Sequence, residues 1–203
     1  MLDVMNRFVS LCIVSMFAVF AVSGCTSKPD TPVSSLEPGT TMAATAATSS
    51  GEVIPLDLSF TDPELLDSIT IAGFVPVFDI SSSSKEKLTA DLDGGTVSLV
   101  HIQATTGGEY YSDIQDTRFR MICDEKVSAL QTSAVATDMT AAGFVPFPDD
   151  GIKAGESGDY WVAFLAAGNP NPTDCTLTYT RDAAKQAGTG DDIPVYTTTV
   201  QLN

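Results

Sequence analysis

The chain contains a single histidine, His101, and that bounds the chemistry open to it. A multi-histidine metal centre is excluded, and no G-x-S-x-G, H-E-x-x-H or phosphate-cradling glycine loop occurs. A Ser-His-Asp relay on His101 would have to be assembled from distant parts of the chain, because such groups meet only in three dimensions. His101 lies in the apolar run "TVSLVHIQA", Thr96 to Ala104. There a packed or hydrogen-bonded imidazole is a commoner role than a catalytic base.

Carboxylates are the next source of chemistry. "DLDGG", Asp91 to Gly95, opens as a calcium loop does, and "DDGIKAGESGD" from Asp149 to Asp159 and "GDD" from Gly190 to Asp192 add oxygens. A complete hand-type loop needs further ligands at fixed positions and a terminal bidentate acid, which "DLDGG" lacks. Asp and Gly are standard turn residues, so solvated turns are expected and no metal or cofactor is assigned. Aromatic side chains form a third group. "EYYSD" at Glu109 to Asp113 and "DYWV" at Asp159 to Val162 could stack on a sugar or anchor a protein, although Trp161 also suits the core of a sandwich.

Charge narrows the partners. Lys and Arg number 10 against 26 Asp and Glu, a formal net charge of −16, which repels a phosphate backbone and makes nucleic acid a poor partner. Only 18% of residues are charged, so the acidity is that of a folded surface rather than of a disordered polyelectrolyte.

The N-terminus carries the clearest signal. "FVSLCIVSMFAVFAV", Phe8 to Val22, is uncharged and, as a helix, about 22 Å long, short of the ~30 Å hydrocarbon core, which fits an export signal better than a permanent span. "VSGC", Val22 to Cys25, follows directly. This order of an aliphatic residue, two small residues and a cysteine resembles the lipobox of prokaryotic lipoprotein precursors; Asp3 departs from the usual positive head. The resemblance implies diacylglyceryl transfer to the Cys25 sulfur, removal of residues 1–24, and attachment to the extracytoplasmic side of the cell membrane through lipid. The head carries one acid and one base, Asp3 and Arg7, so the acidity belongs to the remainder.

Residues 25–52, rich in Ser, Thr and Pro and free of aromatics, cannot bury enough apolar area to offset the entropy of ordering them. They read as a tether that holds a single β-rich domain, residues 53–203, roughly 30 Å from the bilayer. With Cys12 in the signal and Cys25 carrying lipid, Cys123 and Cys175 remain, and two thiols in an oxidising compartment are expected to form one disulfide.

The elements that must position these groups read mainly as strands. "TVSLVHIQA" puts Val97, Leu99, His101 and Gln103 on one face and Ser98, Val100, Ile102 and Ala104 on the other. "TRFRMIC", "DYWVAFLAA", "CTLTYT", "PVYTTTVQL", "VIPLDLSF" and "ITIAGFVPVFDI" add further strands between Gly- and Pro-rich turns. An Ig-like antiparallel sandwich with one or two short helices is expected. "TDPELLDS", Thr61 to Ser68, reads as a helix start, and "DEKVSALQTSAVATDMTAAG", Asp124 to Gly143, is compatible with helix or strand.

"AGFVPVFD" at Ala72 and "AGFVPFPD" at Ala142 leave an alternative open. If Gly73 and Gly143 both end helices, the fold is an α+β tandem α-β-β-β repeat; if both bend strands, they mark bulges. The order "SITIAGFVPVFDI", "GGTVSLVHIQ", "GEYYSD", "IKAGESGDYWVAFL", "IPVYTTTVQL" is similar to the sandwich domain of archaellins and archaeal type IV pilins. That resemblance implies a sandwich and a cell-surface setting; the lipobox departs from the uncleaved helix on which those filaments assemble.

The function expected from these features is a membrane-anchored surface lipoprotein with a non-catalytic binding or envelope-structural role, its partner an envelope protein or a glycan. Two alternatives stay open: an extracytoplasmic hydrolase or metal-assisted enzyme using His101, and a solute-binding accessory lipoprotein.

Overall fold

The computed structural model describes residues 51–88, 94–107, 113–186 and 189–203. The export signal, Cys25 and the tether up to residue 50 lie outside the described residues. In chain order the elements are β1 (Ile54–Thr61), β2 (Ser68–Val75), α1 (Ser82–Leu88), β3 (Gly95–Thr105), β4 (Phe119–Cys123), β5 (Lys126–Val127), β6 (Ala129–Leu130), α2 (Thr132–Ala141), β7 (Ser157–Ala167), β8 (Cys175–Arg181), β9 (Ala184–Lys185), β10 (Asp192–Ile193) and β11 (Tyr196–Gln201). No described helix is long and apolar enough to cross a membrane.

The strands pair antiparallel into a five-stranded sheet, β1-β2-β3-β7-β6, and a four-stranded sheet, β11-β8-β4-β5, with β9 and β10 as a small separate ribbon. The alternation in the sequence explains how they stack. Ile69, Ile71, Val100, Ile102, Val162 and Phe164 turn one face of the larger sheet toward Phe119, Met121, Leu177 and Tyr179 of the smaller, and all are buried together. The molecule is thus a mainly-β antiparallel sandwich. Val97, Leu99, Ala163 and Leu165 point the opposite way, where Leu88 of α1 and Val135 and Met139 of α2 cover them as a second core. The helices therefore add a third layer over part of the larger sheet.

The disulfide lies within one sheet. Cys123 and Cys175 are register partners on β4 and β8, their Cα atoms are 4.1 Å apart, and their sulfurs are bonded. The chain then turns sharply through Asp124 and Glu125, both at positive φ.

The helix expected at Thr61–Ser68 is absent: the segment is the hairpin turn joining β1 to β2. Asp62 Oδ1 accepts from the backbone N–H groups of Glu64 and Leu65, as a helix cap would. Leu66 then adopts φ +61°, and the Asp62 N–H donates to the Asp67 carbonyl, closing a reverse turn instead of a helix. Capping chemistry serves turns and helices alike.

The two glycines of the echoed segment do different work, which corrects the tandem α-β-β-β repeat. Gly73 lies inside β2 opposite His101, at a register shift, and Phe74 enters the sandwich core. Gly143 follows α2 at φ +86°, and the Phe144 N–H returns to the Met139 carbonyl, a left-handed helix terminator. A Cβ on Gly143 would meet nothing within 4 Å, so its requirement is conformational. Gly143→Ala should lower the unfolding free energy by about 1 kcal/mol, and Gly143→Asn by less, since Asn tolerates this region better. Urea titrations of the two variants check the ranking.

Candidate functional site

The helical layer leaves the outer face of the larger sheet uncovered at one end. Two lateral rows of polar side chains cross it there, set by the strand registers. One row is Ser59, Thr70, Gln103 and Asp159; the next is Thr61, Ser68, Thr105 and Ser157. Each row is knit by its own hydrogen bonds. Ser59 and Thr70 share one at 2.9 Å, Gln103 Nε2 donates to Asp159 Oδ2 at 3.2 Å, and Thr105 and Ser157 share one at 2.9 Å. A shallow depression of ≈ 440 Å³ runs between the rows over β2, β3 and β7.

His101 and Trp161, also register partners, border this face where the helices begin. Their rings stack at 4.4 Å, nearly parallel at 4°, while Phe144 meets the indole edge-on at 4.8 Å. His101 Nε2 is hydrogen-bonded to Asp159 Oδ1, and the same carboxylate takes the Gln103 amide on its other oxygen. The histidine side chain is 19% exposed, so it is not sealed in the core. Asp159 fixes the orientation of the imidazole through its Nε2, whereas in a catalytic relay of the serine-protease type the carboxylate holds Nδ1. Among the described residues no hydroxyl or thiol is hydrogen-bonded to the imidazole. Trp161 is packed between His101 and Phe144, which leaves hydrogen bonding, not indole stacking, as the chemistry of the open face.

The other sequence candidates are dispersed. Asp91, Asp93, Glu109, Tyr110 and Tyr111 lie outside the described residues. Of the Asp149–Asp159 segment, residues 149–156 form the connection into β7, in which Lys153 pairs with Asp113 at 3.1 Å and the Glu156 N–H reaches Thr106, and Ser157–Asp159 begin β7. Lys185 pairs with Asp192 across the small ribbon. Among the described residues no three His, Cys, Asp or Glu side chains converge as metal ligands would.

Sequence reasoning missed one electrostatic centre. Asp62 and Arg181, both 1% exposed, form an ion pair at 2.5 Å that joins the β1–β2 turn to the end of β8. Burial pushes the Asp62 carboxyl up, but hydrogen bonds from Arg181, Glu64 and Leu65 and the guanidinium charge together hold it below the ordinary value. Asp67 is also buried, with Oδ1 accepting from the Gly107 N–H and Oδ2 unpartnered, and burial holds its carboxyl above the ordinary value. Nothing in the local pattern distinguishes Arg181 from a surface arginine at a strand end.

No protein-family model matches the chain, and no curated protein matches it. Two solved structures bear a likeness. A protein of unknown function from Listeria monocytogenes is 14% identical at a TM-score of 0.43, the likeness covering 75% of this chain and 89% of that one. YcdA of Bacillus subtilis, described as a putative lipoprotein, is 13% identical at a TM-score of 0.40, over 72% of this chain and 39% of its own. Likenesses of this depth carry no argument about site or activity.

Proposed function

We propose that this chain is a lipid-anchored binding protein of the extracytoplasmic face of the cell membrane. On this reading the open end of its larger sheet holds a glycan strand of the envelope without chemical conversion. The observation that carries the reading is the pair of polar rows from Ser59 to Asp159 and from Thr61 to Ser157. They offer hydroxyl, amide and carboxylate groups over a broad shallow surface, and a partner dense in hydroxyls is the one that such a surface complements. Lipid on Cys25 and the tether of residues 25–52 would present that face clear of the headgroups.

The glycan reading is tested on an array of envelope polysaccharides with the full chain in detergent. Gln103→Ala and Asp159→Ala alter exposed side chains and are expected to weaken binding by about tenfold or more while leaving the fold intact. Undiminished binding in both variants, or no polysaccharide retained, overturns the glycan reading; an envelope protein crosslinked at Gln103 would then take its place. The anchor is tested separately. Cys25→Ala should abolish lipid labelling and leave an unprocessed precursor or a released chain, and unchanged labelling would refute the assignment.

A further inference from the structure

The polar rows have a spacing as well as a chemistry. β2, β3 and β7 each place one residue in either row: Ser68 and Thr70, Thr105 and Gln103, Ser157 and Asp159. These side chains line the shallow depression of ≈ 440 Å³. Neighbouring strands lie about 4.8 Å apart, and residues i and i+2 of one strand about 6.7 Å, so the face is a grid of pairs that runs across the strands. Residues between the rows, such as Ala104, turn into the sandwich core, which leaves backbone as the floor. We infer that this grid selects an uncharged β-1,4-linked glycan lying across the strands, one sugar unit to each strand's pair. The inference rests on the glycan reading above and adds linkage, charge and orientation to it.

Linkage follows from shape. When every linkage is equatorial, as in β-1,4-linked glucose or N-acetylglucosamine, a pyranose chain is a flat ribbon. Its units succeed one another at nearly the strand spacing, and its hydroxyls project from its two edges. Laid across β2, β3 and β7, the ribbon sets one unit against each pair, with one edge toward either row. An α-1,4-linked chain of the same sugars coils and leaves a straight row.

Charge complementarity selects among such ribbons. Neither row holds a lysine or an arginine, Asp159 contributes a carboxylate, and the chain carries a net charge of −16. A uronate- or phosphate-bearing polymer is therefore repelled, and an uncharged one is not. The grid is also set before any ligand arrives. Thr105 and Ser157 share a hydrogen bond at 2.9 Å, and Gln103 donates to Asp159, which His101 holds on its other oxygen. A carboxylate oxygen has two lone pairs, so Asp159 keeps acceptor capacity for a sugar hydroxyl or an acetamido N–H.

The test is calorimetry of the full chain in detergent with cello- and chito-oligosaccharides from monomer to hexamer, the malto-oligosaccharides, and a β-1,4-linked mannuronate trisaccharide. Affinity for at least one uncharged β-linked series should rise by about tenfold or more from monomer to trimer. It should rise only slightly beyond the trimer, because Ser59 and Thr61 of β1 do not line the depression. Maltotriose and the mannuronate trimer should bind about tenfold more weakly or worse. Ser68→Ala on β2 and Ser157→Ala on β7 change exposed side chains at the two ends of the grid, and each should weaken the trimer by about threefold or more. A chain running along β3 would lose little from either. Equal binding of maltotriose or of the mannuronate trimer, affinity that is flat from monomer to trimer, or an unaffected Ser68→Ala or Ser157→Ala variant overturns the inference. The glycan reading then still stands if Gln103→Ala and Asp159→Ala weaken polysaccharide binding. Failure of both β-linked series to bind also overturns the inference, and the polysaccharide array then decides the reading by itself.

Discussion

Arg181→Met is expected to lower the unfolding free energy by about 3–5 kcal/mol, a large share of the ~5–15 kcal/mol by which domains of this size are stable. The guanidinium is almost saturated. Its Nε and Nη2 donate to the two oxygens of Asp62, and its Nη1 to the carbonyls of Asp182 and Pro194. Removing it leaves Asp62, 1% exposed, charged and held only by two backbone N–H groups. Met fills similar space, so the loss is electrostatic rather than a cavity. The paired variant Asp62→Asn with Arg181→Met retains an acceptor for the N–H groups of Glu64 and Leu65 and buries no charge, so it should recover part of the loss.

The dependence on pH identifies the cause. Because the folded pKa of Asp62 is lowered, the stability it contributes is fully present above the unfolded carboxyl value, about 3.9, and is lost as pH falls through the folded value. Asp67 has the opposite sign. Its folded pKa is raised, so its ionised form is unfavourable near neutrality, and that cost is relieved as pH falls through the raised value. In Arg181→Met the carboxyl of Asp62 can escape its unpaired charge by taking up a proton. The deficit against the natural chain should therefore shrink as pH falls, and urea titrations at neutral and acidic pH measure it. A deficit that does not change with pH would show that the ion pair is not its source.

Replacing Cys123 and Cys175 together by Ala should remove about 4 kcal/mol. The bond closes a loop across a separation of 52 residues, and in the chain-entropy picture its main effect is to restrict the unfolded chain. That loop contains α2, β5, β6 and β7 as well as the turn at Asp124, so loosening it affects both cores. Both cysteines are buried, Cys175 completely, and native protein should resist reductant that acts readily once urea opens it. Denaturation of the natural chain with and without reductant, beside the double variant, checks both statements. Reduced natural protein should match the double variant, and equal stability of all three would refute the assignment.

How much of this was legible depended on whether a feature was local. The two faces of β3 were readable because the strand period is two and each face meets one environment: Val100 and Ile102 enter the sandwich, and Val97 and Leu99 go under the helices. α1 was not read, although Ser81 caps it, its hydroxyl accepting from the Ser84 N–H. Its serine-rich sequence carries little helical periodicity. α2 stayed ambiguous because Thr, Ser and Val are middling in a helix, and its packing on β7 and α1 settles it. "TDPELLDS" was misread because an Asp that caps a turn and an Asp that caps a helix make the same bonds.

The sequence by itself determined the acidity, the uncharged run from Phe8 to Val22, the dominance of strands and the availability of Cys123 and Cys175 for one disulfide. Each follows from composition or from a period within a few residues. Only tertiary structure decided that His101 stacks on Trp161 and bonds Asp159, that Asp62 meets Arg181, and that Gly73 bends a strand while Gly143 ends a helix. Those outcomes depend on strand register and sheet stacking. A one-residue slip of β7 against β3 would carry Asp159 to the other face, and the sum of many packing contacts that fixes the register is written nowhere in either segment alone.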